Sequence, residues 1–106
     1  MLEEKRNNGL KNDLAEDKLR WDLLPIEEIE ELVDILTKGA KKYADNSWQE
    51  LPNGVERYKA ALMRHLVEWW KGNEIDDGVG GIGVRHIAQV AINAIFLMHL
   101  TKHNPK

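Results

Sequence analysis

Tyr58–Asn93 reads YKAALMRHLVEWWKGNEIDDGVGGIGVRHIAQVAIN, and the way this stretch divides decides the fold. Its first half carries an apolar arc at helical spacing: Tyr58, Leu62, Leu66 and Trp69, with Met63, Val67 and Trp70 beside them. That spacing predicts a helix from about Val55 to Lys71, ended by Gly72. Asn73–Gly83 is an acidic, glycine-rich turn, and a further helix is predicted from about Val84 to Lys102. From Ile87 to Leu100 this last helix has no formally charged residue, so it is expected to be buried nearly all round. Yet His86, Gln89 and Asn93 fall on one side of it, at spacings of three and four. A polar group left idle in such a place costs ~1–3 kcal/mol, so the stripe needs hydrogen-bond partners or a ligand. A structural network and a ligand contact account for it equally.

Working outward, a helix is predicted from about Pro25 to Lys42, with proline at its first position. Ile26, Ile29, Val33, Leu36, Ala40 and Tyr43 repeat at three and four, and Leu32 and Ile35 widen the stripe. Glu27, Glu28, Glu30 and Glu31 crowd its first turns and Lys38, Lys41 and Lys42 its last, as the helix dipole favours. Ala44–Asn53 is a loop closed by Pro52 and the Asn53-Gly54 turn signal. Residues 1–17 are expected to form a flexible arm, residues 18–102 a single domain, and residues 103–106 a frayed tail. The fold class is all-α: a small bundle of three main helices, completed by oligomerisation, because so apolar a set of helices needs more cover than one chain supplies.

Composition bounds the function. A net charge of −3 argues against a partner that is a DNA or RNA polymer, which would demand a basic face. No cysteine is present, which excludes disulfides and thiolate metal sites. The run Ile87–Leu100 is shorter than the about 20 residues a membrane span needs, and the N-terminus lacks a signal-type apolar core. A cytoplasmic protein is expected.

Several constellations admit two readings. Gly78–Gly83 spells GxGxxG, but a helix precedes it and no acid follows Asp77, so the dinucleotide reading is coincidence. Its glycines could still offer N–H groups to an anion. Glu27–Glu31 spells the EExxE of all-α nucleotide pyrophosphatases, although both ends face away from the apolar stripe and belong in water. Glu74, Asp76 and Asp77 are either a solvated acidic turn or a Mg²⁺ site beside substrate phosphates. His65 is a general base, a metal ligand or a buried histidine paired to Glu68. Trp48, Trp69 and Trp70 could stack on a base or simply fill the core.

One ordered set is more specific: Lys18-x-Arg20-x-Asp22-Leu23-x-Pro25, Gly39-Ala40-x-Lys42-Tyr43, Asn46-x-Trp48, Arg64-His65-Leu66, Trp69-Trp70-x-Gly72, Ile75-Asp76, His86-x-Ala88 and Asn93-Ala94-x-Phe96-Leu97. With it the chain, from Lys18 to about Leu100, resembles a phage-associated domain from the N-terminal part of dATP/dGTP diphosphohydrolases. Those enzymes are MazG-like in activity and cleave purine deoxynucleoside triphosphates to monophosphates plus pyrophosphate. The standard MazG-type tetrad, EExxE then ExxD on adjacent helices, does not fall on the expected faces, and the family's Glu-Ser-Gly-like turn is replaced by Asp77-Gly78-Val79-Gly80.

The resemblance implies an all-α domain, a purine (deoxy)nucleotide and, for an enzyme, Mg²⁺. Glu74, Asp76 and Asp77 would then hold the metal. Lys18, Arg20, Lys42 and Arg64 would neutralise phosphate charge, and His65 or His86 would orient the attacking water. Tyr43, Trp48 or Trp69 would stack the base, with Asn46 in the same motif as Trp48, and Asn93 would bond the base or sugar. The setting implied is a phage-infected bacterium. Hydrolysis is the leading reading; the alternative is a sponge that sequesters a signalling nucleotide of antiphage defence, which the same residues would serve without metal or turnover.

Overall fold

In a computed structural model, the structure describes residues 18–78 and 81–103; the expected N-terminal arm lies outside them, as do residues 104–106. The protein is all-α. Helix α1 spans Ile26–Lys42, α2 Gly54–Trp70 and α3 His86–His103, with short 3-10 turns at Trp21–Leu23 and Ser47–Glu50. No strand occurs among the described residues; Ile75 and Arg85 form a single antiparallel bridge. No helix among them is long and apolar enough to cross a membrane.

The helix boundaries follow the local chemistry. Pro25 sits one place earlier than expected, as the N-cap of α1, and its carbonyl accepts from Glu28 and Ile29. Asn53 takes the left-handed conformation that its turn signal implied, and α2 begins at Gly54. A Cβ on Gly54 would stand 3.2 Å from Leu100 Cδ1, so the start of α2 lies close against the end of α3. At the other end, Gly72 has φ +97°. Its N–H donates to the Trp69 carbonyl, and the Asn73 N–H reaches back to the Glu68 carbonyl, both at 3.0 Å. This is a Schellman stop, which turns the chain sharply out of α2.

The described residues on either side of the glycine-rich turn pair with each other as a small hairpin. Asp76 N–H donates to the Val84 carbonyl, His86 N–H to the Glu74 carbonyl, and Gly83 N–H to the Asp76 carbonyl, each at 2.8 Å. These bonds delay α3, which begins at His86 and not at Val84. They also spend glycine N–H groups that could have served an anion, since Gly81 N–H goes to the Gly78 carbonyl. His103, expected in a frayed tail, is helical.

Packing departs from two expectations. The core of α1 against α3 is Ile35 with Ala88 and Ile92, flanked by Leu32, Val84 and Phe96. Thus the Leu32/Ile35 side of α1 faces inward, while Ile26, Val33, Leu36 and Tyr43 of the expected stripe are exposed. Nor is α3 buried all round: Ala88, Ile92, Asn93 and Leu100 are covered, but Met98 is 70% exposed. A single chain of this size cannot wrap an uncharged helix on every side. The 3-10 turn at Ser47–Glu50 caps the bundle through Trp48. Its ring stacks on Phe96 at 4.2 Å between centroids, and its carbonyl accepts from the Tyr58 hydroxyl at 2.8 Å.

Candidate functional site

The Schellman stop and the hairpin together fold the turn back over α2, and this creates a cleft of about 1120 Å³. Arg64, His65 and Glu68 line it from α2, Glu74, Asp76 and Asp77 from the hairpin, and His86 from the first residue of α3.

At its floor the Nδ1 atoms of His65 and His86 stand 2.9 Å apart. His86 is buried and His65 half-buried. Burial holds His65 below its ordinary range; Asp76 opposes that shift, whereas His86 and Arg64 reinforce it. Burial thus favours the uncharged imidazole of His65. The expected pairing of His65 with Glu68 does not form, because Glu68 is engaged by the Asn73 amide at 2.7 Å and by Lys71 at 3.5 Å. Asp76 completes the floor. Ligand atoms of His65, Asp76 and His86 all lie within 4.8 Å of one another, the one such group among the described residues.

Two residues of the polar stripe on α3, His86 and Gln89, serve this floor. Gln89 Nε2 donates to Asp76 Oδ2 at 2.9 Å and so fixes the carboxylate. Asn93 is buried and turns its amide back to the Gln89 carbonyl at 2.7 Å, within its own helix. Gly81 matters for a steric reason: a Cβ there would come within 2.4 Å of the Asp76 carbonyl oxygen and 2.5 Å of Oδ1. Only a residue without a side chain lets the hairpin close over Asp76.

Beside the cleft, Arg85 clamps α1 to the start of α3. It makes a paired contact with Glu31, Nε to Oε2 at 2.8 Å and Nη2 to Oε1 at 2.7 Å, and Glu74 stands 3.8 Å away. The guanidinium holds the Glu31 carboxyl below its usual range. Glu31 is thus half-buried and partnered, contrary to the solvated role that its helical position suggested, while Glu27 is exposed.

The chain matches the family of the N-terminal region of dATP/dGTP diphosphohydrolase over residues 8–106. It belongs to that family. It is 34% identical over 76 residues to a dATP/dGTP diphosphohydrolase of Salmonella phage PMBT28, an alignment covering 72% of this chain and 24% of that protein. The chain therefore spans about a quarter of the length of that relative. No solved structure matches it.

The sequence-derived site residues divide among separate places. Arg64, His65, Glu74, Asp76, Asp77 and His86 line the cleft. Tyr43, Asn46 and Trp48 line a second pocket of about 760 Å³ between α1 and the Trp48 turn. Lys18, Arg20, Lys42 and Trp69 line neither. Arg20 is paired to Asp22 at 2.7 Å, the Lys42 ammonium lies 5.2 Å from the Tyr43 ring centroid, and Trp69 meets Trp70 edge-on.

The acids do not form an oxygen cage. Asp76 turns inward, Asp77 is exposed, and the Glu74 side chain is 64% exposed beside Arg85. Resident Mg²⁺ prefers oxygen donors in near-ideal octahedral array. Two imidazole nitrogens and one carboxylate are a different donor set, and they do not fit it.

Sequence reasoning overlooked Arg85, Gly81 and Asn73. Arg85 stands next to His86 and was legible as a cation at a helix start, but its partner Glu31 is 54 positions away.

Proposed function

We propose that the cleft between α2, the hairpin and α3 binds a purine deoxynucleoside triphosphate and supports its cleavage to monophosphate plus pyrophosphate. The observation that carries this reading is half-buried His65 facing buried His86 and Asp76 at the cleft floor, in a chain that matches the N-terminal region of dATP/dGTP diphosphohydrolase. The two imidazoles and the Gln89-anchored carboxylate are the groups able to hold a water against the α-phosphorus. Arg64 is the lysine or arginine that lines the cleft, against the four carboxylates of Glu68, Glu74, Asp76 and Asp77. A triphosphate therefore enters with its divalent counter-ions rather than bare. Arg64 neutralises charge as pyrophosphate leaves.

The test is incubation of the purified chain with dGTP, dATP and dCTP, with divalent cations added, followed by chromatography of the free and the denatured fractions. Purine monophosphate plus pyrophosphate is expected. Intact nucleotide recovered only after denaturation would mean a sponge, and no bound or cleaved nucleotide would end the reading.

A further inference from the structure

The cleft floor has the geometry of a metal centre of a different kind from the one the family resemblance implied. We propose that His65, His86 and Asp76 bind one first-row divalent transition ion, through the two facing Nδ1 atoms and an Asp76 carboxylate oxygen. The three ligands come from three separate elements: α2, the hairpin and α3. Two nitrogens each about 2.1 Å from one ion stand roughly 3.0 Å apart at a right angle, and roughly 3.4 Å apart at the tetrahedral angle. The observed 2.9 Å fits adjacent positions of a six-coordinate ion. Two histidines and one carboxylate on one face of an ion, with the other positions open, is an established donor set for such metals, and imidazole favours them over Mg²⁺ or Ca²⁺.

The surroundings support the same reading. Asp76 is held by Gln89 at 2.9 Å, as ligating carboxylates generally are held by an outer partner. His86 is buried, and its backbone N–H donates to the Glu74 carbonyl at 2.8 Å, which anchors the main chain that carries the ring. All three ligands line the 1120 Å³ cleft, so the open coordination positions face the space where a ligand would sit. The inference shares that cleft with the nucleotide reading but not its substrate.

The test contains no nucleotide. The 106-residue chain, stripped with EDTA, is titrated calorimetrically with Mn²⁺, Co²⁺ and Mg²⁺, with circular dichroism to check the fold of each variant. One equivalent of Mn²⁺ or Co²⁺ is expected to bind, and a roughly hundredfold excess of Mg²⁺ should not displace it, because imidazole donors favour transition ions over Mg²⁺. Co²⁺ should give the weak visible absorption of a six-coordinate ion. His65→Gln and Asp76→Asn should each weaken binding at least tenfold. In the wild type, Mn²⁺ should broaden the NMR signals of His65, Asp76 and His86 first, which decides the matter even if a variant fails to fold. A competing chelate exists on α3, where His99 and His103 rings lie 4.4 Å apart. If His103→Ala abolishes binding, if broadening centres on His99, or if no equivalent binds, the proposal is overturned and the His65–His86 contact is a plain hydrogen bond.

Discussion

The cleft and the second pocket flank the same helix, α3, and are built from opposite materials. The cleft gathers four carboxylates, two imidazoles and a guanidinium around backbone bonds of the hairpin. The second pocket, between α1 and the 3-10 turn, is framed by Ile35, Leu36, Tyr43, Trp48, Tyr58 and Phe96. Its aromatic rings satisfy one another: Trp48 lies on Phe96, Tyr58 meets Phe96 edge-on at 5.0 Å, and the Tyr58 hydroxyl finds the Trp48 carbonyl. Polar groups brought together at a cleft floor need something to hold, whereas stacked aromatics complete their interactions internally. On the proposed function, chemistry belongs to the cleft and stability to the aromatic cluster.

The largest expected effect breaks the comparison on the cleft side. His65→Gln and Asp76→Asn should each lower dGTP turnover at least a hundredfold, about 2.7 kcal/mol of transition-state stabilisation. Steady-state kinetics on protein that melts within a few degrees of the wild type would check this. Next, Phe96→Ala should cost about 2 kcal/mol in urea unfolding, less than the roughly 3–5 kcal/mol of a fully buried phenylalanine, because Phe96 is partly covered. Turnover per folded molecule should stay within about threefold, the span of an indirect effect on a remote site.

A smaller effect comes from pH. Burial holds the folded pKa of His65 below its ordinary value of about 6.5, so between the two the unfolded chain holds a proton that the folded chain does not. Stability is full above about pH 6.5 and declines as pH falls through that value, by at most about 1.4 kcal/mol per pH unit, levelling off below the folded pKa. Urea midpoints from pH 7.5 to 5 would measure the slope, and His65→Gln should flatten it. The smallest effect on either pocket concerns assembly. Val33 is 53% exposed, with Ile26 and Leu36 exposed on the same helix, and sedimentation at micromolar concentration should give a dimer or larger. Val33→Lys should shift the mass toward 12.2 kDa while leaving turnover within about twofold, as for a surface site.

How much of this was legible follows from the range of each interaction. The helices were legible because their spacing and end signals are local: Gly72 stops α2 and Asn53 opens it. The side of α1 that faces inward was not, because Leu32 and Ile35 are chosen by Ala88 and Ile92, far along the chain. His86, Gln89 and Asn93 announced themselves as polar groups on an apolar helix, and two of the three serve the cleft floor. Their partners did not: His65 lies 21 positions from His86, and Asp76 lies 13 from Gln89. Spacing offered Glu68 to His65 as a neighbour one turn away, and could not reveal that Asn73 and Lys71 already engage it. The hairpin was hidden for a related reason, since Gly81 reads as flexibility until the crowding at Asp76 is visible.

The most direct test of the central claim asks which pocket a nucleotide enters. Isotopically labelled protein would be titrated with a dGTP analogue carrying a methylene bridge between the α- and β-phosphorus, so that nothing is cleaved. Amide and imidazole NMR shifts would then be followed. The account predicts the largest shifts at Arg64, His65, Asp76, Gly81 and His86, with Tyr43, Asn46 and Trp48 nearly still. Shifts confined to Tyr43, Asn46, Trp48 and Phe96, with the His65 and His86 signals unmoved, would contradict it and move the site to the aromatic pocket.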